Sequence, residues 1–242
     1  MTQKTALTVA SYNIHKGVGT DRRRDLGRTA AVIGEIGAEI VALQEADRRF
    51  GDRAGLLELQ LLREEHGLSP VPVPGSGPSH GWHGNLLLLR DAEVEEVHHI
   101  ALPGLEPRGA IISDIRIRGV MIRVIAAHFG LLPSSRRAQS RFVLDRIAGF
   151  KPLPTLMMGD LNEWRRGETS SLAHLTRHFS PAEAIRSFPS RYPLLALDRI
   201  LAGTELEVTD LAVHDTPLAR RASDHLPIKA RLLLAGNGGA GQ

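Results

Sequence analysis

The sequence predicts an α/β fold in which two sheets pack face to face with helices outside. Three observations carry that prediction. Short apolar runs of strand type alternate with helical periodicities in both halves of the chain. A content of 42% hydrophobic and 24% charged residues over 242 positions suits one sizeable globular domain. No stretch is linker-like enough to divide it, so one domain over 1–235 is expected, followed by a frayed Gly-rich tail, "GNGGAGQ", at 236–242.

Taken in order, "LTVASYN" (7–13) alternates apolar and polar residues as a strand does, and "EIVALQE" (39–45) reads as a buried strand. Between them "DLGRTAAVIGEIGAE" puts Leu26, Ala30, Ile33 and Gly37 on one helical face. A second helix, "GLLELQLLREEHG", ends at Gly67, a residue suited to a helix C-cap. The Pro- and Gly-rich "SPVPVPGSGPSHGWHG" reads as a loop. Strands are expected at 85–90, 93–102, 110–117 and 120–129, then a helix at 134–149 capped by Ser134 or Ser135, and a strand at 154–160. The last third offers strands at 197–201, 205–213 and 226–235.

Composition narrows the chemistry. With no Cys, disulfides, thiolate metal sites and Cys nucleophiles are excluded together, and any site must use oxygen and nitrogen. No apolar run approaches the roughly 20 residues that cross a bilayer, and the N-terminus lacks the pattern of a signal peptide. A soluble, unprocessed, cytoplasmic protein is expected. Net charge is only +3, yet Arg clusters at 22–24, 136–137, 165–166 and 220–221 suit an anionic substrate, because the guanidinium fork matches phosphate. A solvated Arg-rich surface is the plainer reading of any one cluster.

The chemistry-bearing residues gather at strand ends. Asn13, Glu45, His128, and Asp160 with Asn162 each close a strand, Asp198 lies within "LALDRIL", and Asp224–His225 precede the last strand. Singly each has a structural explanation, such as a turn cap or a core histidine. Jointly they supply oxygen ligands for a hard divalent cation (Glu45 and Asp224, with Asn13 nearby) and an Asp-paired imidazole, His225, to activate water.

The stretches "SYNIHKG", "IVALQEAD", "AAHFG", "GDLNEW", "LDRIL" and "SDHLPI" resemble, in order and spacing, the endonuclease/exonuclease/phosphatase (DNase I-like) superfamily, particularly its small bacterial members. The resemblance covers residues 7–234 and implies a four-layer α/β/β/α sandwich. It implies Mg²⁺ or Mn²⁺ as cofactor. Glu45 corresponds to the family's metal-binding Glu and Asn13 to its Asn near metal and phosphate. Asp160 corresponds to the Asp that positions or activates the nucleophile, Asn162 to the Asn that stabilises the transition state, and Asp224 to the Asp on the metal side. His225 matches the general-base or phosphate-polarising His and Asp198 the Asp that orients it. His128 matches a His contacting the scissile phosphate, Arg108 a phosphate-holding basic residue, and Asn85 a structural strand Asn.

The expected function is a metal-dependent phosphodiesterase acting on a phospholipid headgroup or another small phosphodiester. The alternatives are a DNA or RNA nuclease, for which Lys16 and Arg22–Arg24 would bind the backbone, and, from a different class, a non-catalytic binding module. The long inserted loops of apurinic endonucleases are missing, and 4% aromatic content leaves few stacking platforms. A lipid substrate predicts an exposed apolar rim near 71–82 or 129–133, with peripheral rather than membrane-spanning contact.

Overall fold

The structure, a computed structural model, describes residues 5–48, 51–180 and 183–234; the tail expected at 236–242 lies outside the described residues. Among the described residues eleven strands form two sheets. The first sheet contains β1 (Thr5–Asn13), β2 (Ile40–Gln44), β3 (Ser69–Pro70), β4 (Leu86–Leu89), β10 (Glu207–Val213) and β11 (Ile228–Leu234). The second contains β5 (Ala92–Leu102), β6 (Arg108–Ile117), β7 (Val120–His128), β8 (Thr155–Asp160) and β9 (Asp198–Ala202). Strand order is β10-β11-β1-β2-β4-β3 in the first and β5-β6-β7-β8-β9 in the second.

Each sheet is organised around one parallel pair, β1–β2 and β7–β8, crossed over by a helix: α1 (Leu26–Ile36) in the first and α3 (Pro133–Ala148) in the second. All other pairings are antiparallel. The parallel strands therefore deliver their C-terminal ends to one edge of each sheet, and the antiparallel neighbours β9 and β11 begin at that same edge.

The central strands are apolar throughout because both faces are covered. In β2, Ile40 and Ala42 face the space between the sheets, whereas Val41 and Leu43 face α1 and α2 (Leu59–His66). In β7 and β8, Val124, Ala126, Leu156 and Met158 join the inter-sheet core, and Ile125, Ala127 and Met157 pack under α3. Three apolar layers between four structural layers give an α/β/β/α sandwich. No helix among the described residues is long and apolar enough to cross a membrane.

Helix ends follow local chemistry, with two departures from the expectation. The Asp25 side chain caps α1 by accepting from Arg28 N, and Gly37 ends it at φ +67°, so Gly37 is a left-handed cap and not part of the apolar face. Gly67 ends α2 in the same way at φ +66°. The N-cap of α3 is Leu132 and not Ser134 or Ser135, because Pro133, which lacks an N–H and has φ pre-set for a helix, takes the first helical position. A short helix that the pattern did not show, α4 (Pro217–Ala222), is capped by the Thr216 hydroxyl and packs Ala219 and Ala222 into the core beside α1.

Candidate active site

Every sequence-predicted site residue lies at the edge where the parallel strands end. Asn13, His128 and Asp160 are the last residues of β1, β7 and β8, Asp198 is the first of β9, and Glu45 directly follows β2. Asp224 and His225 lie in the turn that enters β11. The turn is held by Ser223, whose hydroxyl donates to Asn13 O at 2.7 Å and accepts from His225 N at 3.2 Å.

Asp160 is the junction of the site and is buried. Its Oδ2 accepts from Asn13 Nδ2 at 3.0 Å, and its Oδ1 accepts from Asn162 N at 3.0 Å. Two imidazoles face the same Oδ2: His128 Nε2 at 3.5 Å and His225 Nε2 at 3.7 Å. The close approach of β7 and β8 that allows this depends on Gly159, where a Cβ would stand 1.8 Å from Ala127 O.

The two histidines are driven in opposite directions. Burial pushes the His128 ring down to about 4; Asp160 opposes this and the Arg108 guanidinium adds to it. A neutral ring is also what Arg108 requires, since its Nη1 lies 2.9 Å from Nε2 and 3.0 Å from Nδ1 and only an unprotonated nitrogen accepts. Glu106 holds Arg108 from the other side at 2.8 Å. For His225 burial also disfavours the charge, but Asp198, Asp160 and Asp224 outweigh it and raise the ring to about 10. His225 Nδ1 is 3.0 Å from Asp198 Oδ2, which also accepts from the Ser187 hydroxyl.

Glu45 lies in a cleft with Lys16, Arg53, His83, Arg108 and His128. Burial would raise its carboxyl, yet the charges of His128, Lys16 and His15 draw it down to about 2. His128 counts only once protonated, so at neutral pH the Lys16 ammonium, in direct contact with Glu45 Oε2, is the cation holding it ionised. Lys16, Glu45, Arg53 and His83 all adopt positive φ, between 49° and 57°, a strained backbone gathered around one cleft. Asp224 is more open and stands 3.7 Å from His15 Nδ1.

Among the described residues one cluster of three donors is close enough to hold a cation. Asp160, Asp198 and His225 bring one ligand atom each within 4.8 Å of one another. Glu45, paired with the Lys16 ammonium, and Asp224, beside His15, are further carboxylates of the site that are not fully buried. Asn13 is committed more than its sequence position suggested: Oδ1 accepts from His15 N, and Nδ2 donates to Asp160. Asn162 Nδ2 donates to Phe129 O, so the side chain braces the loop after β7. Asn85 is structural as expected, donating to Gly109 O at 2.8 Å.

The roles of four residues carried too little signal to be found in the sequence. Lys16 lies inside a quoted motif, but nothing local shows that it meets Glu45. Ser187, in an irregular segment, meets Asp198 only through the fold. Arg136 and Glu163, almost fully buried, pair at 3.4 Å and tie the loop after β7 to the loop after β8, where Arg136 also donates to Leu131 O. In the sequence the Arg136–Arg137 doublet points to a solvated surface or a phosphate, whereas Arg136 is buried.

The arrangement matches known proteins along nearly the whole chain. The Escherichia coli (strain K12) protein YbhP is 29% identical over 259 residues, covering 96% of this chain and 98% of the relative. The crystal structure of an endonuclease/exonuclease/phosphatase from Beutenbergia cavernae superposes with TM-score 0.71 at 22% identity, covering 96% of this chain and 72% of that one. A family protein from Bacteroides thetaiotaomicron gives 0.74 at 18%, covering 96% and 99%. The sequence model of the Endonuclease/Exonuclease/phosphatase family matches residues 10–225. With that match and an Asp/Asp/His cluster at the strand ends, the chain belongs to the endonuclease/exonuclease/phosphatase family and is a metal-dependent hydrolase of phosphoester bonds.

Proposed function

We propose that the protein hydrolyses phosphodiesters by in-line attack of water, with a phospholipid headgroup or another small phosphodiester as substrate. The observation that carries the reading is the position of Asp160, hydrogen-bonded by Asn13 and Asn162 and faced by both imidazoles. In this reading Asp160 aligns the attacking water and takes its proton. His225, held as an imidazolium by Asp198, polarises a phosphoryl oxygen and returns a proton toward the leaving group. Arg108, locked between Glu106 and His128, holds the scissile phosphate with His128 beside it.

We place Mg²⁺ or Mn²⁺ on the Glu45–Asp224 side, with Asn13 adjacent, because in the Asp160/Asp198/His225 grouping His225 is held as an imidazolium and has no lone pair free for a metal. When bound it supplies charge neutralisation at the phosphoryl oxygens and acidifies a bound water. Turnover of bis(p-nitrophenyl) phosphate by wild type in Mg²⁺, abolished by EDTA and by Asp160→Asn, tests the reading. Turnover confined to a monoester would overturn the substrate class, and full activity of the variant would overturn the mechanism.

Nuclease activity is the second reading, supported by exposed Arg22, Arg23 and Arg24 just beyond the end of β1. It predicts plasmid nicking that weakens steeply as salt rises.

A further inference from the structure

We propose that the loops around the active-site mouth form a docking collar for an anionic phospholipid surface, so that the enzyme works on a phosphoester presented at a lipid–water interface. The proposal rests on the phosphodiesterase reading above and adds the physical state of the substrate.

Among the described residues seven large hydrophobic side chains are exposed, and six of them stand at the catalytic edge; Phe142, on α3, is the exception. Leu105, 84% exposed, tips the β5–β6 turn just before Arg108. Leu131 and Leu132, 62% and 44% exposed, follow His128 by three and four residues. Trp164, 46% exposed, follows Asp160, and Tyr192 and Leu194, 72% and 64% exposed, lie on the segment leading into Asp198. Such side chains scattered singly mean little, but a ring of them around one mouth marks an interaction surface.

These tips are held outward by buried anchors. Glu106 Oε1 accepts from Leu131 N at 2.7 Å, which joins the β5–β6 turn to the loop after β7. Arg136, itself 1% exposed, binds Gly130 O and Glu163, which joins that loop to the one bearing Trp164. On the far side Ser190 N donates to Asp224 O at 2.7 Å, fixing the Tyr192 segment to the catalytic turn. The exposed groups therefore belong to a braced rim.

Charge identifies the occupant. Exposed Arg residues flank the apolar tips: Arg137 in the first turn of α3, Arg165 and Arg166 directly after Trp164, and Arg191 directly before Tyr192. None of the four has an ion-pair partner among the described residues; Arg165 lies over the Trp164 ring, 5.7 Å from its centroid, and Arg166 donates to Ala184 O. Apolar tips interleaved with unpaired cations match an anionic bilayer, where the tips enter the acyl boundary and the guanidinium groups meet phosphates. Four of the six tips are Leu, which offer no π face to stack a base, so nucleic acid fits less well. A second copy of the chain would set Arg against Arg and close the mouth.

The test is vesicle co-sedimentation of the full chain in EDTA, so that binding is read without turnover, with phosphatidylglycerol/phosphatidylcholine vesicles against phosphatidylcholine alone. Trp82→Phe leaves Trp164 as the only tryptophan and a fluorescence reporter at the collar. The expected result is binding to the anionic vesicles with a blue shift of Trp164 emission. Replacing Leu131 and Leu132 with Ser should weaken binding about 10-fold or more while turnover of water-soluble bis(p-nitrophenyl) phosphate stays unchanged. No partition into anionic vesicles, or equal binding by the Leu variant, overturns the collar. So does a dimer in sedimentation velocity that the Leu variant dissolves, or displacement of the vesicles by a DNA oligonucleotide. Failure of the soluble diester assay in wild type would instead defeat the phosphodiesterase reading and leave the binding result standing.

Discussion

Asp160 and Asp198 are register partners across β8 and β9, and His225 stands between them, Nδ1 at 3.0 Å from Asp198 and Nε2 at 3.7 Å from Asp160. Two buried carboxylates at directly opposed positions repel, and the imidazolium between them offsets that repulsion. His225→Gln is expected to cut turnover by about 10²–10⁴-fold and to lower the melting temperature. Adding Asp198→Asn to it should restore thermal stability without restoring activity. Scanning calorimetry and a phosphodiester assay on the double-mutant cycle check both parts.

Asp160→Asn keeps the side-chain volume and removes the carboxylate. Because Asn13 and Asn162 still hold the position, kcat should fall by about 10³-fold with KM little changed. A proportionate loss in KM alone would reduce Asp160 to a binding role.

The pH dependence of stability follows from the two histidines, with opposite signs. His128 has a folded value of about 4, below the ordinary imidazole value of 6.5. The unfolded chain therefore takes up the proton first, and the stability from the neutral ring is lost as pH falls from 6.5 toward 4. For His225, raised to about 10, stability is fully present below 6.5 and lost as pH rises through 10. His128→Gln should flatten the acid limb of a melting-temperature profile and leave the alkaline limb intact. In Arg108→Gln the His128 titration followed by NMR should move upward, since a neighbouring cation is gone.

In the proposed metal site a divalent cation would compete with Lys16 for Glu45. Lys16→Gln should bind Mg²⁺ or Mn²⁺ more tightly by calorimetry, and Glu45→Gln more weakly, by about 10-fold or more in each direction. Wild type should melt higher in Mg²⁺ than in EDTA, because a ligand of the folded state stabilises it.

How far the sequence could be read depends on the range of the interaction involved. Strand ends, the Gly67 cap and most of the apolar face of α1 are local: a glycine at the end of an amphipathic run favours a left-handed cap, and a continuous "IVALQ" is intolerable anywhere but between two covered faces; Gly37, read as part of that face, proved to be the cap of α1. The polar residues at those ends were legible for the same reason, since Asn13, Glu45, His128 and Asp160 interrupt apolar runs. The rim at 129–133 was legible in part: Leu131 and Leu132 are exposed, but Val71 and Val73 of the other expected stretch are buried in the inter-sheet core. Its further members, Leu105, Trp164, Tyr192 and Leu194, lie in segments with no shared pattern.

The sequence by itself determined which residues end strands and which polar side chains stand at those ends, because hydrophobic periodicity and capping act within a few residues. Which strand ends meet was decided by the tertiary structure. Asn13 donates to Asp160 across 147 positions and Ser223 to Asn13 across 210, and only sheet register and two parallel crossovers bring those atoms together. The charge states were decided there as well. His128 and His225 are the same residue type with the same ordinary pKa; burial beside Arg108 keeps one neutral, and two aspartates on adjacent strands keep the other charged.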